Sequence, residues 1–445
     1  MRFLSQKTFR GGVHPPEYKH GGENKKIERC PAPKTVVLPV SQHIGAPAQP
    51  VVERGDTVRI GDLVAKAAGF VSVPVHATVS GKVVKVEKRP HPFGQWVLSI
   101  VIENDENDEW NPDIQFDENY DQLYKNEMIE RISNAGLAGM GGATFPTHVK
   151  VKPPDDKKID TVILNGAECE PYLTADHRLM LEEPERILKG MQLIMRILDA
   201  ESGLIGIEKN KPDAIRILKA KINELRLPLK VIALPVKYPQ GAEKQLIKAL
   251  KNRKVPAGGL PMDVGCVVQN VGTAAAVFNA VSSKKPLIER VVTVGGSAIK
   301  ETRNLLVRLG TPFSDVIEYC GGLSDDAGKL IMGGPMMGLA QSTPEAPVIK
   351  GTSGLLAFRQ NQSYRPEETV CISCAYCVDA CPMGLVPKVL GQFVKHERYG
   401  DAKSYHILDC IECGSCSYVC PAHINLVHYI KFGKLVVIEQ QKKAG

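Results

Sequence analysis

Between Thr35 and Glu103 the chain alternates short β-branched runs with Gly, Pro and Asp: VVLPV, VVERGDTVRIGDLVAK, VSVPVHATVSGKVVKVEK and WVLSIVIEN. Such runs predict short strands joined by turns. An Asn- and Asp-rich stretch from Glu103 to Asp121 then predicts a surface linker. After it the period changes. From Asp121 to Ser283, helical patterns (EMIERISNAGL, PERILKGMQLIMRILDA, AIRILKAKINEL) alternate with apolar runs (TVILNGA, SGLIGIE, LKVIALPV). That alternation predicts an α/β domain with a largely parallel sheet. From Leu287 to Gly338, ERVVTVGG, a helix over ETRNLLVRLG, then TPFSDVIEYCGG and KLIMGGPMMG predict a small α+β module. Residues around Gly351 to Arg365 predict a linker, and His428 to Lys443 is a basic stretch threaded with Ile430, Phe432, Leu435, Val436, Val437 and Ile438. That end could dock on an anionic surface or on partner subunits, or be an ordinary exposed helix.

Composition narrows the class only a little. The chain of 445 residues has room for roughly three domains of about 100 to 200 residues. With 43% hydrophobic and 24% charged residues it is neither disordered nor collagen-like. A net charge of +7, from 56 basic and 49 acidic residues, is small for this length and intermixed, so nucleic acid is not an expected partner. No apolar run reaches the ~18 residues of a spanning helix, and the basic start Met1 to Lys7 leads into no apolar signal core. The expectation is a chain that stays in the cytoplasm.

The cysteines change the picture. Cys30, Cys169, Cys266 and Cys320 are scattered, while the other eight form two tight groups: Cys371, Cys374, Cys377 and Cys381 before Pro382, and Cys410, Cys413, Cys416 and Cys420 before Pro421. In a reducing compartment such grouping argues for metal rather than disulfides. Both groups fit C-x2-C-x2-C-x3-C-P, in which three thiolates wrap one [4Fe-4S] cluster and the fourth reaches across to the other. Crossed ligation assigns one cluster to Cys371, Cys374, Cys377 and Cys420, and the other to Cys410, Cys413, Cys416 and Cys381. Two structural zinc sites are the rival, since C-x2-C pairs also bind zinc, but zinc has no use for a third cysteine and a proline in each repeat. Small residues, Ala375, Gly414 and Ser415, leave a path for single electrons. Cys169, with no histidine near it in sequence, reads as a small packing residue rather than a nucleophile.

The α/β domain carries GLAGMGGATFPT from Gly136 to Thr147. It ends on Thr144 where G-x-G-x-x-G needs glycine, so it is not the dinucleotide fingerprint. Glycines let backbone N–H groups close on an anion or a flat ring, although a plain turn would account for them equally well. Three more stretches follow: Asn165-Gly166-Ala167-Glu168-Cys169-Glu170-Pro171, Tyr238-Pro239-Gln240-Gly241-Ala242-Glu243, and Val268-Gln269-Asn270-Val271-Gly272-Thr273. In this order they resemble the flavin-binding subunit of respiratory NADH dehydrogenase, with its RGRGGAGFPT loop, NADEGEP segment, GEE helix start and NNVET turn.

Other parts of the chain carry resemblances of their own. The segment 35–105 resembles the barrel-sandwich hybrid of biotinyl and lipoyl carriers, though Val73 to Val83 offers no lysine for a carried cofactor. The segment 286–345 resembles the β-grasp domain called SLBB. With the opening FRGGVHPPEYK and the two-cluster end added, the whole chain resembles the C subunit of the Rnf ion-translocating electron-transport complex. The implied organisation is multidomain α/β and α+β. It comprises an N-terminal extension (1–34), the barrel-sandwich hybrid (35–105), a Rossmann-like FMN and NADH domain (121–285), an SLBB domain (286–345), a ferredoxin-like helical domain with two clusters (362–425) and a basic tail (426–445).

The resemblance implies that Gly139, Gly141, Gly142 and Lys150 face the flavin phosphate or ring edge, with Asn165, Glu168, Tyr238, Gly241, Glu243, Asn270 and Thr273 around it. Phe145 and Glu170 would meet the nicotinamide nucleotide. The loop arginine of the dehydrogenase is Met140 here, its aspartate is Ala167, and one of its paired glutamates is Ala242. The implied function is exchange of hydride between NAD(H) and FMN, and of single electrons with two [4Fe-4S] clusters. It would act in a peripheral subunit on the cytoplasmic face of the membrane, partnered by integral membrane and iron-sulfur subunits and, indirectly, by ferredoxin. A cobalamin reductase of the propanediol-utilisation type resembles the same subunit throughout, and a flavin-free electron wire is a third reading.

Overall fold

The computed structural model describes residues 7–363 and 366–444. Two short sheets form the first module: Thr35–Pro39, Trp96–Asn104, Gly81–Pro90 and Thr57–Val58 in one, Gln49–Pro50, Leu63–Lys66 and Val75–His76 in the other. Val36, Leu38, Val64, Val79, Ile100 and Ile102 are buried between them. The Ala77–Ser80 tip, where a carrier domain would present its lysine, is buried, and Thr78 Oγ1 donates to the Leu309 carbonyl at 2.7 Å. The tip is thus a docking surface onto the next-but-one module.

The α/β module has four parallel strands, in spatial order Leu229–Leu234, Ser202–Glu208, Thr161–Asn165 and Cys266–Asn270. The helix Pro184–Leu198 begins on a proline and ends at Asp199 in the left-handed region. Ile187, Leu188, Met191, Ile194, Met195 and Leu198 give it a buried stripe at helical spacing. Gly190 on that stripe admits the helix Val271–Ser283 so closely that a Cβ would lie 1.8 Å from the Ala274 carbonyl oxygen. Glycine inside a helix costs about 1 kcal/mol, and here it sets the position of the helix that starts at Asn270.

A six-stranded mixed sheet follows, in the order Ile27–Arg29, Arg303–Arg308, Glu289–Gly295, Gly354–Arg359, Ala327–Met332, Leu339–Ala340. It corrects three expectations. ETRNLLVRLG, expected as a helix, supplies the strand Arg303–Arg308, because a paired strand waits on each side of it. The stretch expected as a linker contains Gly354–Arg359, which pairs with Glu289–Gly295 and Ala327–Met332; its Leu355, Leu356 and Ala357 are buried in mid-sheet. The N-terminal extension is no appendage either, since Ile27–Arg29 joins this sheet in parallel.

The cysteine module consists of short helices closed by Leu426–Ala444. That last helix packs Ile430 and Val437 against Leu390, Val394 and Ile407, while Phe432 and Leu435 stay exposed. The basic end is therefore one wall of the cluster module rather than a separate tail.

Candidate functional site

In the parallel sheet the chain leaves Thr161–Asn165 toward one edge and returns on its other side as Cys266–Asn270. The carboxyl ends of those two strands are the place where such sheets bind ligands. Asn165 and Asn270 end the strands and are register partners. Neither carboxamide is free to turn. Asn165 Nδ2 donates to the Gly241 carbonyl at 2.8 Å while its Oδ1 accepts from Ala167 N–H at 3.1 Å. Asn270 Oδ1 caps its helix by accepting from Gly272 N–H at 2.7 Å, and its Nδ2 donates to Asp176 at 2.6 Å.

The glycine loop forms one wall. Gly139 N–H donates to the Phe145 carbonyl at 2.9 Å and closes the loop, and Met140 N–H donates to Thr273 Oγ1 at 2.9 Å. Gly141 and Gly142 are exposed at its tip, Gly142 with φ +108° and open space around it. Phe145 is half-buried at the base. The turn from Tyr238 to Glu243 forms the other wall. Lys150 Nζ joins the two, donating to Glu243 Oε1 at 2.8 Å and to the Val268 carbonyl at 2.7 Å. Lys150 with Glu243, Asn165 with Gly241, Gly141 with Asn270, and the loop at Met140 with Thr273 thus stand together at the strand ends.

Neighbouring modules hold that loop in place. From the barrel, Ile44 N–H donates to the Thr144 carbonyl at 3.2 Å. Buried Arg290, from the mixed sheet, donates to the Met140 carbonyl at 3.2 Å. Buried Lys350 donates to the carbonyls of Gly136 at 2.6 Å and Pro74 at 2.8 Å. Burial pulls the Lys350 ammonium down to about 7 and the Arg290 guanidinium down to about 10.

Three expected contacts face elsewhere. Glu168, at φ +47°, turns its carboxylate onto the helix Ala175–Glu182, accepting from the N–H groups of Asp176 at 2.8 Å and His177 at 3.2 Å. A carboxylate is favoured there by the unpaired amides and the positive end of the helix. Glu170 accepts from the N–H groups of Met336 at 3.0 Å and Met337 at 2.9 Å, on the GGPMMG loop. Desolvation raises it to about 7 against the pull of those two bonds. Tyr238 is buried, and its hydroxyl donates to the Cys413 carbonyl at 2.8 Å. Its place is the contact between cleft and cluster module rather than the open cleft.

Lys19 and Asp176 are missing from the expected set. Lys19 is buried, and its ammonium donates to the carbonyls of Glu168, Glu170 and Leu173 at 3.0, 2.9 and 2.6 Å. It comes from some 150 residues upstream; the opening FRGGVHPPEYK, which ends on it, marks the family without showing what its ammonium holds. Asp176, pushed up by burial and then by the Glu168 charge, orients Asn270. A carboxylate in the first turn of a helix reads from sequence as an ordinary partner of the helix end. Cys169 is a packing group whose thiol, raised to about 12 by burial, accepts from Gly241 N–H at 3.4 Å.

The eight cysteines lie close together in the cluster module. Cys371, Cys374, Cys377 and Cys420 line one pocket with Ser373, Ala375 and Ile424. Cys410, Cys413, Cys416 and Cys381 form the other group, where Cys381 and Cys410 share a small apolar cluster with Leu390 and Ile407. Burial raises the Cys410 thiol to about 11 and also pushes up Cys413 and Cys416, with the neighbouring cysteines adding to the Cys416 shift. Such thiolates need cationic iron as a counter-charge. Among the described residues no three His, Cys, Asp or Glu side chains close on one point as a single ion requires; a cubane instead offers a separate iron corner to each thiolate. The cleft, with two fixed carboxamides, a lysine, a threonine and exposed glycine backbone, suits a flat hydrogen-bonding ring with a phosphate.

Comparison with known proteins agrees with this division. Residues 7–107 match the family described as RnfC barrel sandwich hybrid domain, 132–279 the Nuo51 FMN-binding domain, 291–340 the SLBB domain and 370–424 the 4Fe-4S dicluster domain. The chain is 52% identical over 430 residues to the C subunit of the proton-translocating ferredoxin:NAD(+) oxidoreductase complex of Clostridium ljungdahlii, covering 96% of this chain and 93% of that protein. It is 47% identical over 439 residues to the C subunit of the Na(+)-translocating ferredoxin:NAD(+) oxidoreductase complex of Acetobacterium woodii, covering 98% and 99%. It is 40% identical over 442 residues to the C subunit of the ion-translocating oxidoreductase complex of Rhodobacter capsulatus, covering 99% and 85%. A solved NAD+-reducing [NiFe]-hydrogenase shares the fold over 72% of this chain and 62% of its own, with TM-score 0.52 at 20% identity.

Proposed function

The chain belongs to the family of C subunits of ion-translocating ferredoxin:NAD oxidoreductase complexes, and we propose that its strand-end cleft feeds the two clusters in a fixed order. It is an electron-transfer subunit that binds FMN and two [4Fe-4S] clusters and works with other subunits of a membrane-associated complex. Identity of 52% and 47% to C subunits of ferredoxin:NAD(+) oxidoreductase complexes favours that role over corrin reduction, and the match of residues 132–279 to an FMN-binding domain favours it over a flavin-free wire. When bound, FMN supplies the conversion between a hydride, carrying two electrons to or from NAD(H), and single electrons, one for each cluster.

The chain's own residues bind and orient. Gly139, Gly141 and Gly142 present backbone to the phosphate or ring edge, Lys150 supplies positive charge, and Asn165 and Asn270 hold the ring between fixed carboxamides. Thr273 and Arg290 keep the loop where Met140 stands in place of an arginine. Phe145, at the loop base, would take the nicotinamide nucleotide. Glu168 and Glu170 act by shaping the 168–173 turn, and Tyr238 links cleft to cluster.

One observation carries the order: Tyr238, in the cleft wall, bonds the carbonyl of Cys413. The quartet Cys410, Cys413, Cys416 and Cys381 is therefore the inner one. The quartet Cys371, Cys374, Cys377 and Cys420 is the outer one, ringed by exposed Val370, Ile372 and Tyr376. No helix among the described residues is long and apolar enough to cross a membrane. We place the chain peripherally on the cytoplasmic face, with the outer quartet toward iron-sulfur partners. Titration of the chain with FMN and then NADH tests the cleft. Saturable FMN binding lost in Lys150→Met is expected, and clusters at full occupancy without FMN affinity would defeat the reading.

A further inference from the structure

Residues Phe9–Val13 thread between the α/β module and the cluster module beside the inner quartet. Gly12 N–H donates to the Ala380 carbonyl at 2.8 Å, and Val13 and Tyr238 exchange both backbone bonds, at 2.8 and 2.9 Å. Gly11 lies flat on Cys381, the ligand that crosses between the cysteine groups: a Cβ there would meet the Cys381 carbonyl oxygen at 2.5 Å. A Cβ on Gly12 would meet the Tyr238 carbonyl oxygen at 2.5 Å. Their φ angles are +74° and +83°, and in both cases the obstacle is backbone, which cannot swing aside as a flexible side chain can. The strap is pinned from outside by Lys237, whose ammonium donates to the Phe9 carbonyl at 2.8 Å and lies 4.4 Å over the Phe9 ring.

We infer that the strap Phe9–Val13 is the spacer that sets how closely the inner cluster approaches the flavin cleft, with Gly11 and Gly12 as positioning residues. The α/β and cluster modules are joined in sequence only through the whole mixed-sheet module, so no short linker fixes their contact. At Gly11-Gly12 the strap is backbone without side chains, the thinnest spacer a polypeptide can offer where it meets Cys381 and Tyr238. Any side chain at these two positions must part Cys381 from Tyr238. The strap takes no part in the chemistry. The inference rests on the cleft being the flavin site and on the Cys410 quartet being its near cluster.

The test compares Gly11→Ala and Gly12→Ala, in the full chain loaded with FMN and both clusters, with Gly94→Ala, a glycine of similar φ (+81°) in open space. Each protein is reduced with dithionite, freed of reductant and mixed with NAD+, while EPR follows cluster reoxidation. Two reduced clusters give one electron each, and NAD+ takes both with a proton to become NADH. Ferricyanide reduction by NADH, which draws on the flavin alone, monitors the cleft. Both strap variants are expected to slow cluster reoxidation several-fold, because the rate of single-electron transfer falls steeply with each increment of added separation. Iron content, flavin content and ferricyanide activity stay unchanged, and Gly94→Ala alters nothing. Should the alanine variants lose their clusters, Phe9→Ala removes the ring under Lys237, spares both backbone contacts and is expected to give a smaller slowing. Unchanged reoxidation, or an equal loss of ferricyanide activity, overturns the spacer. An unmodified chain holding FMN that NAD+ fails to reoxidise counts against the flavin reading instead, and photoreduced flavin then drives the same comparison.

Discussion

The two cysteine quartets share one spacing but not one setting. The inner quartet is walled by Tyr238, Val13 and Met336, and a Cβ on Gly414 beside it would lie 2.9 Å from the Met336 carbonyl oxygen. Four parts of the chain thus meet around it: the N-terminal strap, the cleft wall, the GGPMMG loop and the cysteine module. The outer quartet has Ser373, Ala375 and Tyr376 exposed around it, and among the described residues its pocket is lined by its own module. A repeated motif therefore specifies two identical ligand sets, and the rest of the fold decides which becomes the relay next to the flavin and which the terminal facing a partner.

The largest expected effect separates the two directly. Cys413→Ala removes an inner ligand and should abolish electron exchange between NAD(H) and the outer cluster, whereas Cys374→Ala should leave the inner cluster in exchange with NAD(H); EPR after mixing with NAD+ distinguishes them. Next comes Lys19→Met, which strips the donor from three carbonyls of the turn carrying Glu168 and Glu170. Unpaired buried acceptors cost roughly 1 to 3 kcal/mol each, so a loss of about 3 kcal/mol is expected in urea unfolding, with weaker FMN binding and an unchanged outer-cluster spectrum. Tyr238→Phe is milder, at about 1 to 2 kcal/mol for the orphaned Cys413 carbonyl, and should shift the EPR signal of the inner cluster only.

The remaining effect is a pH dependence. Glu170 rises from 4.5 to about 7 on folding, so between these values the folded chain holds a proton that the unfolded chain releases. Its contribution therefore falls as pH rises from about 4.5 to about 7 and is level above that. Glu170→Gln should flatten the fall in that window, measured by thermal unfolding at a series of pH values.

The inner and outer ligands were equally legible in the sequence, because a cluster loop is local and its thiolates sit two or three residues apart. The motifs at the strand ends were legible, and Lys150 with Glu243, Asn165 with Gly241, and Gly141 with Asn270 stand in contact there. Glu168, Glu170 and Tyr238 stand in the same motifs but turn to a helix end, a neighbouring loop and a cluster carbonyl. Motif membership fixes where a backbone runs, while tertiary neighbours decide where a carboxylate points. Lys19 and Gly11 stand in the quoted opening FRGGVHPPEYK, but their contacts, like those of the strand Ile27–Arg29, were not legible because the partners lie more than a hundred residues away. The strand Arg303–Arg308 was misread because the sheet on both sides of it outweighs a helical pattern only ten residues long.

The order of the two clusters is tested most directly by freeze-quench EPR of the dithionite-reduced Cys413→Ala chain, still holding FMN and its outer cluster, after mixing with NAD+. The outer cluster is expected to stay reduced while the same cluster in the unmodified chain is reoxidised; reoxidation at the unmodified rate would show that electrons reach it without passing the Cys410 quartet.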